Sequence, residues 1–401
     1  MSLVERYLTL GLRLGKHVDG LVDAYYGPPG LAEAVDGEAL CPAAHLAADA
    51  DLLLAELPHS GLDAGRAGWL AEQLRGVRVS AGVLAGEEIS YLDEIEGCYG
   101  VRPARVPEEA FAETHARLDA LLPAGGSLPE RYEAWRTANA VPADRIVETM
   151  TPILALLRER TEAIVLLPAD EEFALELVSG EPWAAFNYYL GDHRSRIVVN
   201  TDLPFSGAEI VHLAAHEGYP GHHTEHAAKE ELLLDRQGHL EESLQLVPTP
   251  QALLSEGIAE LGSELLVDAQ LEAEFTKIFA AAGVEYDPAA AAEIRAAREP
   301  LGYVGRNAAL AIHEDGLSVE EAQAYIERWA LAPPKRAAHT IAFVTDPTWR
   351  SYVVTYTEGL RLARAWVDGD LGRLGRLLTE PVRVSELRAA ADGAAAVSSA
   401  P

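Results

Sequence analysis

Residues Val211 to Glu231 read VHLAAHEGYPGHHTEHAAKEE, five histidines and several carboxylates at the spacing of an amphipathic helix, with Pro220 and Gly221 in the middle. A proline there has no N–H for the carbonyl of residue 216, and its ring clashes with that carbonyl. The helix must therefore bulge or break between Tyr219 and Gly221. Any fold for this chain has to place that interruption where something gains from it.

The residue types around the interruption point to metal chemistry. A catalytic zinc site uses three protein ligands, commonly two His and one carboxylate, with a further position for water. In the H-E-x-x-H pattern the two histidines are one turn apart and face one ion, and the Glu acts as general base. His216 and Glu217 supply the first half of that pattern, but His222 and His223 follow six and seven residues later. On an ideal helix they would lie about 9 to 10.5 Å further along the axis. Two extra residues taken up at Pro220 and Gly221 bring His222 back to the second-ligand position, whereas His223 requires three. His222 is thus the preferred second ligand and His223 its rival.

LLSEGIAELGSELLVD supplies a third ligand, with Glu256, Glu260 and Glu264 on one helical face. Glu256 stands among Leu253, Leu254, Ile258 and Ala259, where an isolated carboxylate is costly and a cation would offset the cost. Simpler readings compete: PGHH as a helix-ending turn with surface histidines, or metal chelation by His212 with His216 or by His222 with His226. Neither pair uses Glu217 or explains Pro220.

Composition narrows the function. With 32 basic and 63 acidic residues the net charge is −31, so nucleic acid is not an expected partner. No apolar run approaches the roughly 18 residues of a membrane helix. Glu5, Arg6 and Arg13 interrupt the start, so no secretory signal is expected there. Two cysteines, Cys41 and Cys98, give neither a disulfide framework nor a metal-ligand spacing, and a reducing cytoplasm is the expected location.

Helical periodicity dominates the 401 residues, predicting a mainly α protein in which a small antiparallel β-sheet at about 171–201 lies beside the motif helix. The expected division is an N-terminal helical region 1–122, a catalytic helical region 131–390 and a flexible tail 391–401, with LPAGGSLPE as the linker. Within the sheet, EFALELV, WAAFNYYL and SRIVVNTD are separated by turn signals. SRIVVNTD is expected as an edge strand pairing with an extended substrate, so Arg194, Arg196 and Asn200 become candidate substrate contacts. Tyr356 in TYTEG is a candidate donor to an oxyanion, with Tyr352 one turn earlier.

HEGYPGHH followed by EGIAELGSE resembles the bacterial family called domain of unknown function 885, marked by H-E-x-x-P-G-H-H and a later helix opening E-G. The similarity runs from Tyr188 to Trp366 and includes GRNAALAIHEDGLSVEEAQAY and the Tyr-x-x-Gly of YVVTYTEGLRL. It implies distant kinship with mainly helical zinc carboxypeptidases. The leading expectation is one zinc ion held by His216, His222 or His223, and Glu256, with Glu217 activating water to cleave a peptide or small amide. A two-His, one-carboxylate Fe(II) oxygenase and a helical metal-binding protein without turnover are the alternatives.

Overall fold

The computed structural model describes residues 1–398 apart from 182 and 203, and of residues 394–398 only the backbone. Helix α1 (Leu3–Gly15) opens on a capping box in which Ser2 and Glu5 bond each other's backbone N–H groups. Strand β1 (Val22–Tyr25) follows, then α2 (Ala43–Glu56) and α3 (Ala64–Leu84), the last capped by Asp63. After α4 (Tyr91–Tyr99) and further helices comes α5 (Ile146–Glu162), which leads into a sheet of β2 (Glu172–Val178), β3 (Ala185–Gly191) and β4 (Arg194–Asn200).

The motif segment begins with α6 (Gly207–Leu213), capped reciprocally by Ser206 and Glu209, and continues as a π-helical turn, Ala214–Gly218. Helix α7 (His222–Lys229) restarts beyond the interruption and runs into a second π-helical turn, Glu230–Asp235. Strand β5 (Leu244–Leu246), helix α8 (Pro250–Leu266), a third π-helical turn (Thr355–Gly359) and helix α9 (Leu360–Val367) supply the remaining parts that matter for the site. Residues 391–398 of the expected tail continue the last helix, Val384–Ser398, and 399–401 lie outside the described residues. Among the described residues no helix is long and apolar enough to cross a membrane.

Helices thus carry the fold, with the small sheet where the alternating pattern put it. One of its two pairings differs from the expected antiparallel arrangement. The order is β2-β4-β3, with β3 antiparallel to β4 through a hairpin but β2 parallel to β4. β4 is therefore the central strand, and its backbone groups are taken up on both sides. SRIVVNTD cannot be the edge that receives a substrate strand. Alternation in a sequence reports which face is buried, not which neighbours a strand has.

Buried side chains also group differently from a boundary at residue 122. Leu8, Leu14, Leu46, Leu53, Leu70 and Leu74 pack with Leu244 and Leu246 of β5, which pairs with β1. Phe111, Leu118, Leu122 and Tyr132 share the larger cluster that includes Ile210 and Leu253. The stretch LPAGGSLPE thus joins two helices of one core.

Helix α8 meets the third π-helical turn backbone to backbone. A Cβ on Gly257 would lie 2.4 Å from the carbonyl oxygen of Gly359, and one on Gly359 would lie 2.3 Å from the carbonyl oxygen of Leu253. Glycine at both positions is what lets the segment bearing Tyr352 and Tyr356 close on Glu256.

Candidate metal centre

The interruption is a break with a restart. Tyr219 leaves the helix with extended backbone (φ −119°, ψ 119°), the Tyr219–Pro220 peptide is cis, and Gly221 donates its N–H to the carbonyl of Ala215 at 2.9 Å. The chain thereby steps back beside the turn it has just left. His222, the first residue of α7, faces His216 with ring centroids 4.7 Å apart and planes nearly perpendicular.

Helix α8 brings Glu256 to the same point. Its Oε2 lies 3.4 Å from His216 Nε2 and its Oε1 lies 3.8 Å from His222 Nε2. One donor atom from each of the three residues falls within 4.8 Å of the others. Burial lowers the pKa of both His216 and His222 to about 4, leaving their imidazoles neutral and able to donate a lone pair. His222 Nδ1 is 3.0 Å from Ser255 Oγ, which leaves Nε2 directed at Glu256.

These residues fit a divalent cation. Glu256 Oε2 and His216 Nδ1 are buried and make no hydrogen bond among the described residues. Burial raises the Glu256 pKa against the partial opposition of His222 and the Tyr352 hydroxyl. A buried carboxylate oxygen beside two neutral imidazoles is costly alone and favourable around a cation.

A second donor group shares His216: its Nδ1 lies 3.7 Å from Glu260 Oε1, which is itself 3.8 Å from His212 Nε2. The same ring can thus ligate through Nε2 while Glu260 faces Nδ1, an arrangement typical of metal-bound histidines.

Glu217 is buried, and its backbone carbonyl accepts a 2.6 Å hydrogen bond from Asn187 Nδ2 of β3. Burial, and then the carboxylates of Glu256, Asp23 and Glu260, push its pKa well above the usual range. Tyr356, 37 % exposed, is in electrostatic reach of Glu256, Glu260 and Glu217. The surrounding protein, and then Glu256, Glu260 and Glu217, keep its phenol protonated and able to donate.

No family model matches this chain, and no curated protein does. Three of the solved structures that resemble it are the following. A "putative lipoprotein" from Colwellia psychrerythraea aligns with TM-score 0.52 and 13 % identity over 91 % of this chain and 69 % of that one. A "putative lipoprotein of unknown function" from Shewanella oneidensis gives TM-score 0.47 and 12 % identity over 91 % and 76 % of the two chains. The M32 carboxypeptidase from Deinococcus radiodurans R1 gives TM-score 0.39 and 14 % identity over 97 % and 94 %. The first likeness is one of fold alone, and the other two are too slight to carry an argument.

The remaining candidates go elsewhere. Next to His222, His223 is fully buried with both ring nitrogens engaged, Nε2 at 2.7 Å from Glu171 and Nδ1 at 2.8 Å from Ser195 Oγ. Consecutive helical residues point about 100° apart, so only one of the pair can face Glu256. Burial alone would raise the Glu171 pKa, but hydrogen bonds from His223, Tyr219 and Arg158 outweigh it and lower it. Arg194 pairs with Asp192 at 2.8 Å, and Arg196 lies over the Tyr188 ring near Glu176. Asn200 is buried, donating to the carbonyls of Glu181 and Trp183 and accepting from the N–H of Asp202. These three residues are occupied by their own sheet and loop.

Three contributors were not indicated by the motif. Ser255 orients His222, and Tyr352 donates to Glu256 Oε1 at 2.7 Å. Asp23 stands at a β-bulge in β1 between Val22 and Ala24; it keeps contact with solvent, and partial desolvation and then the charge of Glu256 push its pKa upward. The residue lies in a stretch with no recognisable pattern, and nothing local could have assigned it. If His216, His222 and Glu256 hold a divalent cation, replacing Tyr352 by Phe is expected to weaken its binding about 10- to 100-fold, the usual effect of losing a group that orients a ligand. Competition with a chromophoric chelator reads the change, and an unaltered affinity would show that the hydroxyl does not position Glu256.

Proposed function

We propose that the chain is a zinc-dependent hydrolase of peptide or amide bonds. One observation carries this reading: three donor atoms from His216, His222 and Glu256 converge, with the buried carboxyl group of Glu217 next in sequence to the first of them. The resemblance of HEGYPGHH and EGIAELGSE to domain of unknown function 885 supports it.

His216, His222 and Glu256 would hold the ion. Bound zinc supplies a Lewis acid that polarises a carbonyl and lowers the pKa of water to about 7. The charge of a bound cation would oppose the burial and neighbouring carboxylates that raise the Glu217 pKa, and as a carboxylate Glu217 then takes the proton of the attacking water and returns it to the departing amine. Tyr356 donates its phenolic hydrogen to the carbonyl oxygen as that oxygen gains charge.

Metal analysis of protein purified without chelator, combined with digestion of a peptide library, tests the proposal. The Glu256→Ala protein should bind zinc at this centre at least about 100-fold more weakly, since two histidines alone remain. It should also lose cleavage. Cleavage that survives both this substitution and zinc removal would refute the reading. Iron with oxygen-dependent turnover would instead assign the same ligands to oxygenase chemistry.

A further inference from the structure

A second group of donors lies at the β3–β4 hairpin, away from the histidine motif. Asp192 and His193 form its turn, both with left-handed backbone (φ 52° and 57°), and their N–H groups donate to the Glu230 carboxylate at 3.0 Å each. Tyr189 donates its hydroxyl to the same carboxylate. The hairpin is thereby seated on the second π-helical turn, and two more carboxylates of that turn reach the imidazole of His193. His193 Nε2 lies 3.6 Å from Glu231 Oε2 and 3.5 Å from Asp235 Oδ2.

The ring is oriented and its free nitrogen has no partner. His193 Nδ1 is 3.1 Å from Asp170 Oδ1, so the proton belongs on Nδ1 and the lone pair of Nε2 faces two anionic oxygens. His193 is 8 % exposed, and its Nε2 is buried without a hydrogen bond among the described residues. Glu231 spends its other oxygen on Arg236, leaving Oε2 for the cluster. Two carboxylate oxygens facing one ring nitrogen call for positive charge between them, supplied by a proton on Nε2 or by a metal cation. The N···O separations match the edges of a tetrahedral site, about 3.3 to 3.6 Å for ligands 2.0 to 2.2 Å from zinc. A carboxylate on the distal nitrogen is the usual support of a metal-bound histidine.

We propose that His193, Glu231 and Asp235 form a second divalent-cation site, of the zinc class and structural in role, that fastens the β3–β4 hairpin to the helix following the histidine motif. The link matters because Asn187 of the same hairpin holds the carbonyl of Glu217. A cation at the hairpin therefore steadies the strand on which Glu217 rests. This site does not depend on whether the His216 centre is catalytic.

The test is zinc titration of the full chain, stripped of metal, in a His216→Ala background. His216 belongs to both donor groups of the first centre, so that substitution disables them together. The His216→Ala protein should still bind one equivalent of zinc and melt at a higher temperature with zinc than without. Adding Asp235→Asn should weaken that binding at least 10-fold and remove the thermal increment; the Asp235 side chain is 52 % exposed, so the fold should survive, as far-ultraviolet circular dichroism would verify. His193→Gln in the same background should do likewise. The proposal is overturned if the His216→Ala protein binds no zinc, or if its binding is indifferent to both further substitutions, in which case His193 does no more than sit among its acidic neighbours.

Discussion

Replacing Glu217 by Gln is expected to lower peptide cleavage by about 10²- to 10⁴-fold, the range contributed by a positioned general base, while leaving zinc affinity nearly unchanged. The two readouts separate because Glu217 is not among the convergent donors: those are His216, His222 and Glu256. Gln keeps the size of the side chain, so the close hydrogen bond from Asn187 to the residue's carbonyl should persist. Turnover measured at saturating substrate, beside zinc content measured on the same sample, checks the prediction. Turnover equal to that of the parent protein would remove Glu217 from the chemistry. Loss of zinc would make it a ligand instead.

Gly221→Ala is expected to destabilise the fold by about 3 kcal/mol or more, in the range of severe overpacking, and to weaken zinc binding with it. A Cβ at this position would lie 1.9 Å from the carbonyl oxygen of His216 and 2.6 Å from that of Ala215. Both obstacles are backbone, and neither can rotate away as the end of a side chain could. They also belong to the turn that carries His216, so any relief displaces a ligand. Gly30→Ala is the control, since nothing lies within 4 Å of a Cβ there, and its effect should stay within about 0.5 kcal/mol. Thermal and urea unfolding of the two variants decide the matter. Equal midpoints would mean that the chain has another way through the PG step.

The convergence of His216, His222 and Glu256 was legible because its logic is local. Pro220 removes a helical hydrogen bond wherever it stands, Gly221 permits close approach, and the count of residues between His216 and His222 then fixes what the interruption must accomplish. Glu256 was visible for a different reason: a carboxylate among leucines on an α-helix demands a partner. The expectation that Arg194, Arg196 and Asn200 contact substrate rested on β4 being an edge, and β4 is the central strand. Strand order depends on which segments meet across the sheet, and no pattern within SRIVVNTD records that β2 lies on its other side.

The sequence by itself determined the helical character of the chain, the site of the break, and the residue types able to hold a cation, since each follows from backbone sterics, periodicity or the cost of burying charge over a few consecutive residues. Tertiary structure alone set His222 and His223 apart, by giving one ring Glu256 and the other Glu171. It also decided that Tyr352 reaches Glu256 and that His193 meets Glu231 and Asp235. Those contacts join residues from 34 to 96 positions apart in the chain, and such a meeting is set by how whole elements pack.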